Sequence, residues 1–116
     1  ASYFIAHEDG DVVGYAGIWV VMDEAHVTTL AVTPAKHGQR IGHALLRQLL
    51  TDALSKGAER MTLEVRPSNS IAQKLYRQYG FVACGTRPKY YHDEDALIMW
   101  LDHLEDITIN KTAGRS

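Results

Sequence analysis

The chain has 116 residues, 46% hydrophobic and 22% charged, a composition that suits one globular domain and excludes a disordered chain. With 12 Lys and Arg against 14 Asp and Glu the formal net charge is -2, so no global basic field points to nucleic acid or to an anionic membrane.

From the N-terminus, Ser2 to Ala6 is a short apolar and aromatic run, Glu8-Asp9-Gly10-Asp11 is turn chemistry, and Val12 to Met22 is rich in Val, Ile, Trp and Tyr. This predicts a β-hairpin. Asp23-Glu24 breaks the pattern, and His26 to Val32 alternates as a third strand until Thr33-Pro34 ends the ladder. From Arg40 the period becomes helical: Ile41, Leu45, Leu49 and Ala53, with Leu46, Leu50 and Leu54 beside them, form one broad apolar face. Gly57 stands where a left-handed C-terminal cap is expected. Arg60 to Arg66 is a strand with Met61, Leu63 and Val65 on one face and Thr62, Glu64 and Arg66 on the other.

A second helix is expected from Ser70, where Ser70-Ile71-Ala72-Gln73 fits a capping box, to Tyr79, with Gly80 as its stop. Its inner face is Ile71, Ala72, Leu75, Tyr76 and Tyr79. Phe81 to Thr86 and Ala96 to Leu101 are the last strands, joined by a polar and aromatic loop from Arg87 to Asp95. The order βββ-α-β-α-ββ predicts an α+β, mixed α/β fold around a mostly antiparallel sheet. Residues 1–104 read as a single domain and 105–116, which carry no periodic signal, as a flexible tail.

The one cysteine, Cys84, excludes an intrachain disulfide and points to a reducing, cytoplasmic setting. Within the apolar run Phe81-Val82-Ala83-Cys84 it reads as a buried structural thiol. The histidines, His7, His26, His37, His43, His92 and His103, form no HExxH or other metal-ligand spacing, so no metal is expected. No apolar run nears the roughly 20 residues of a membrane span, and no leader pattern opens the sequence.

The chemistry concentrates between Val32 and Leu50. A strand ending at Pro34, a loop over Ala35 to Gln39 and a helix opening at Arg40 bring free backbone N–H groups and the positive helix end to one spot, an anion site. Gly38 and Gly42 let a phosphate approach the backbone, while Lys36, Arg40, His37 and His43 offer local positive charge. The alternative is that Gly38 merely turns the chain and Gly42 permits close helix–sheet packing. The segment has neither the G-K-[ST] of a Walker A loop nor a G-x-G-x-x-G fingerprint, which argues against ATP and NAD.

Gln39-Arg40-Ile41-Gly42-His43-Ala44 instead fits Q/R-x-x-G-x-G/A and resembles the pyrophosphate loop of the GCN5-related N-acetyltransferases, the GNAT superfamily. The resemblance continues through Leu30-Ala31-Val32, Leu63-Glu64-Val65-Arg66, Ser68-Asn69, Leu75-Tyr76, Gly80-Phe81, Tyr90-Tyr91 and Ala96-Leu97-Ile98-Met99, covering Val12 to Leu101. Together these are similar to the RimI branch, which acetylates the N-terminal alanine of a small-subunit ribosomal protein.

That resemblance implies acetyl-CoA as cosubstrate, held by the backbone at Leu30, Ala31 and Val32, by Gly38, Gln39, Arg40, Ile41, Gly42 and His43, and by Asn69. It also implies Glu64 as general base, Tyr76 as general acid, and Tyr90 and Tyr91 on the acceptor side. By its residues alone, Glu64 reads first as an edge carboxylate paired with Arg66 or Arg60. Tyr76 could be a core aromatic, Asn69 a helix-start residue beside Ser70, and Tyr90-Tyr91 a surface pair. Arg40 stands where the family often has glycine. The sequence opens at Ala1-Ser2-Tyr3-Phe4, inside the hairpin, where family members usually have a strand and one or two helices that help to form the acceptor groove. The expected partners are therefore acetyl-CoA and a protein N-terminus, with self-association through apolar surface of the sheet. The competing readings are an acetyltransferase for a small amine or lysine side chain, and a non-catalytic acyl-CoA-binding module.

Overall fold

Asp9 and Gly10 both adopt left-handed φ values, 53° and 85°, the conformation whose twist matches a tight hairpin. In the computed structural model, which describes residues 1–36 and 40–106, this turn joins β1 (Ser2–Glu8) to β2 (Asp11–Val21). A second turn leads to β3 (Glu24–Val32), and a 3-10 turn over Pro34–Lys36 follows where proline stops the strand. Then come α1 (Ile41–Ser55), β4 (Arg60–Val65), α2 (Ser70–Gln78), β5 (Val82–Arg87) and β6 (Ala96–Asp102). The fold class and element order are those expected from the sequence.

The six strands form one sheet in the order β1-β2-β3-β4-β6-β5, antiparallel at every step except β3 with β4. Strand alternation divides its two faces. Ala16, Ile18, Ala25, Val27, Met61, Leu63, Val65, Met99 and Leu101 face both helices and share one core with Leu45, Leu46, Leu49, Leu50 and Ala53 of α1 and Tyr76 of α2. Each fully buried leucine there contributes about 1.5–3 kcal/mol. The opposite face carries Tyr3, Ile5, Tyr15, Trp19 and Val21, all exposed. Leu104 closes the core below β6, and its N–H donates to Glu59 O at 3.1 Å. Residues 107–116, most of the expected tail, lie outside the described residues.

Three local expectations are corrected. Cys84 is exposed, because β6 inserts between β4 and β5 and leaves β5 at the sheet edge, with Cys84 at a register shift between Ala83 and Gly85. Asn69, not Ser70, caps α2: its Oδ1 accepts from Ala72 N at 3.0 Å. Gln73 turns back to donate to the carbonyls of Arg66 and Pro67 at 3.1 and 2.8 Å. Ile71 is exposed, on the cleft rather than in the core. Gly57, with φ 86°, ends α1 as expected.

Candidate active site

The parallel pair β3 and β4 is joined only at Glu24 with Arg60, Ala25 with Met61 and His26 with Thr62. Beyond those pairs the ladder stops, although β3 runs on to Val32 and β4 to Val65. The strands therefore part where the sequence places Leu30-Ala31-Val32 on one side and Glu64 on the other. At the mouth of the gap lies a cleft of about 480 Å³, lined by Leu30, Ala31 and Val32 of β3, Lys36, Arg40 with Ile41, Gly42 and His43 at the start of α1, and Asn69, Ile71, Ala72, Lys74, Leu75 and Gln78 from α2. Three cations and no carboxylate are among these described residues, and the first amides of α1 add positive helix-end potential. A polyanion with an apolar arm fits such a lining.

At Gly42 a Cβ would meet Leu75 Cδ2 at 3.2 Å and Val32 Cγ2 at 3.9 Å, so glycine there permits close packing of the start of α1 against α2 and β3. Arg40, at the N-cap of α1, has φ 64° and makes no side-chain cap bond. Glycine adopts this conformation without strain and arginine does not. Gly38 and Gln39, with His37, lie outside the described residues. His43 adds no cation: burial, then the charges of Arg40 and Arg47, lower its pKa from the usual 6.5. Its Nδ1 lies 3.3 Å from the Tyr79 hydroxyl, which also accepts from Arg47 Nη1 at 3.1 Å.

Glu64 sits on the face of β4 away from the helices, with its side chain only 7% exposed. Its Oε1 accepts from His26 Nε2 at 2.7 Å and its Oε2 from Arg87 Nη2 at 3.3 Å. It is not at an edge and pairs with neither Arg60 nor Arg66. Arg60 instead meets Asp23 and Glu24, and Arg66 meets Asp93 and Glu94. Tyr76 is 5% exposed, its ring 5.5 Å from that of Phe81, and burial with the nearby Tyr91 pushes its pKa up to about 12. Neither Glu64 nor Tyr76 is among the residues lining the cleft.

The loop between β5 and β6 is strapped to the β4–α2 junction. Arg66 Nη1 donates to Asp93 Oδ1 at 2.6 Å and Glu94 Oε2 at 3.3 Å, Ser68 Oγ donates to Glu94 Oε2 at 2.8 Å, and the guanidinium lies 4.4 Å from the Tyr91 ring centre. The strap seats Tyr91 close enough for Glu64 to raise its pKa, after burial and Tyr90. Tyr90 stands edge-on to Tyr91 at 5.1 Å and is exposed.

A profile of the Acetyltransferase (GNAT) family matches residues 1–81. The chain belongs to the GNAT family. A ribosomal protein bS18-alanine N-acetyltransferase of Escherichia coli is 38% identical over 98 residues, 81% of this chain and 66% of that protein. A Bacillus subtilis protein provisionally named for the same activity is 44% identical over 113 residues, 96% of this chain and 71% of its own length. The crystal structure of an Escherichia coli ribosomal-protein-S18-alanine N-acetyltransferase superposes with a TM-score of 0.78 at 37% identity, covering 88% of this chain and 68% of that one.

Within this GNAT chain, sequence reasoning missed two residues of the Glu64 cluster, His26 and Arg87. His26 had a usable signal, since alternation in β3 turns it to the same face as Thr62 and Glu64. Arg87 had none, because its contact requires β5 to lie one strand beyond β6. Among the described residues His103, Glu105 and Asp106 also come together, within 4.8 Å, but all are exposed and none lines the GNAT cleft.

Proposed function

We propose that this chain moves the acetyl group of acetyl-CoA to the N-terminal α-amine of a ribosomal protein, an alanine amine by the chemistry for which its relatives are named. The observation that carries the reading is the parting of β3 and β4 beside a cleft whose described lining holds Lys36, Arg40 and Lys74 and no acid. The cofactor's anionic end would lie against Arg40, Ile41, Gly42 and His43, with Gly38 and Gln39 as expected loop contacts. Its arm would follow the backbone of Leu30, Ala31 and Val32 past Asn69, and the thioester would enter the gap.

Glu64 is proposed as the base that takes a proton from the incoming ammonium, directly or through a water. The neutral nitrogen then forms its bond to the acetyl carbon as the carbon–sulfur bond breaks and the Tyr76 phenol protonates the departing thiolate. The second proton, shed by the nitrogen as it becomes an amide, restores the phenol, and Glu64 returns its own proton to solvent. A phenol whose pKa is pushed up to about 12 stays protonated at neutral pH, as an acid must. Tyr90 and Tyr91 are proposed to face the acceptor. Self-association through the exposed Tyr3, Ile5, Tyr15, Trp19 and Val21 face is also proposed, and is read by sedimentation over a range of concentrations.

The deciding experiment offers acetyl-CoA with peptides whose N-terminal alanine is free or blocked. Acetylation of the free peptide alone is expected. Equal rates on a blocked, lysine-containing peptide would move the acceptor to a side-chain amine. Cofactor binding without turnover on any amine would leave an acyl-CoA-binding module.

A further inference from the structure

Glu64 is nearly closed off from solvent, yet its two carboxylate oxygens are held by side chains from two different strands, neither of them its own. His26 comes from β3, the neighbour that parts from β4. Arg87 comes from β5, which is not a neighbour of β4 at all: β6 lies between them. The register brings them near: Glu64 stands opposite Ile98 in β6, and Ile98 stands opposite Gly85, two residues before Arg87 in β5. The Arg87 guanidinium is steadied from the loop side by the Tyr90 ring, 5.9 Å away.

The terminal torsion of a glutamate is broad and roughly two-fold, so one hydrogen bond fixes one oxygen and leaves the carboxylate plane free to turn. A second bond to the other oxygen fixes the plane. Resting on the assignment of Glu64 as base, we propose that Arg87 is a positioning residue of the acetyl-transfer site, holding Glu64 Oε2 so that Oε1 stays aimed at His26 and the parting strands. The other charged or titratable groups around Glu64 do not serve this role. Arg66 is engaged by Asp93 and Glu94, and Tyr91 is held by the same strap.

The test combines turnover with structure. Arg87→Ala is expected to lower kcat about tenfold while KM for acetyl-CoA stays within about twofold, as expected when alignment rather than binding is lost. Arg87→Lys should recover part of the loss, because it restores the charge without the fork. Adding Arg87→Ala to Glu64→Gln should cost nothing further, because both changes act through one group. In a crystal structure of Arg87→Ala the carboxylate should turn away from His26, and in the shorter, uncharged Arg87→Gln it should do so if the alanine variant folds poorly. A carboxylate still within hydrogen-bond reach of His26, full turnover in Arg87→Ala and Arg87→Gln, or additive losses in the double variant would each overturn the proposal. Undiminished turnover in Glu64→Gln would instead remove the base assignment, while the crystal structures would still read what Arg87 holds.

Discussion

Tyr76 belongs to the core by its ring, packed on Phe81, and is the proposed general acid; burial, then the nearby Tyr91, raise its pKa and keep the phenol protonated. Replacing it by Phe keeps the packing and removes the proton, so Tyr76→Phe should cut turnover by about 10²-fold or more with acetyl-CoA binding retained, and Glu64→Gln should do the same. Steady-state rates paired with cofactor binding by calorimetry separate the two effects, and unchanged rates would withdraw both assignments. The pKa of Tyr76 is raised above its ordinary 10.0, so as pH rises the unfolded chain gives up this proton first. The stability it contributes is therefore present below about pH 10 and lost toward about pH 12. Ultraviolet titration of the six tyrosines should show a last step that disappears in Tyr76→Phe. His43 behaves in the opposite sense. Its pKa is lowered in the folded state, so the unfolded chain takes up the proton first as pH falls through about 6.5. His43→Gln should therefore flatten the loss of melting temperature between about pH 7.5 and 5.5.

At the scale of elements, the start of α1 is where sequence and backbone disagree. Arg40 occupies a left-handed conformation with φ 64°, which costs an L-residue about 1–2 kcal/mol. Arg40→Gly should raise the melting temperature while weakening acetyl-CoA binding, since it relieves the backbone and removes a cleft cation; a fall in both would mean that the strain is offset by contacts of the arginine. Close approach is stricter at Gly14. A Cβ there would lie 3.0 Å from both Ala31 O and Leu45 Cδ1 and 3.3 Å from Ile41 Cγ2. Gly14→Ala should destabilise by about 1–3 kcal/mol in urea unfolding, because the Ala31 carbonyl belongs to a paired strand and cannot yield. Asn69→Ala removes the cap of α2 and should cost about 1 kcal/mol.

For the molecule as a whole, a ligand that binds the folded state must raise its melting temperature. Acetyl-CoA at about 100 times its Kd should add about 2.7 kcal/mol. No shift at saturation would sink both the enzyme and the acyl-CoA-module readings. The two faces of the sheet divide the molecule's work. One carries the core and both helices, while the other carries Glu64 together with the exposed aromatics.

The hairpin, the amphipathic α1, the alternation of β4 and the cap at Gly57 were legible in the sequence, because each depends on residues a few positions apart. Periodicity and turn chemistry act at that range. The loop motif before α1 was legible for the same reason, as a stretch of consecutive residues. What the sequence left open depended on which strands became neighbours. Cys84 lies in an apolar run that reads as core, and it is exposed because β6 displaces β5 to the edge. The capping-box pattern pointed to Ser70, and the cap is Asn69 instead, whose Oδ1 accepts from Ala72 N at 3.0 Å. Glu64 could be singled out as a charge in an apolar strand, but its partners, 38 residues back and 23 ahead, could not be. Side-chain alternation along a strand is a local property of the backbone. Strand order, and with it the meeting of His26, Glu64 and Arg87, follows from hydrogen bonding and burial between segments far apart in the chain, and only the folded sheet decides it.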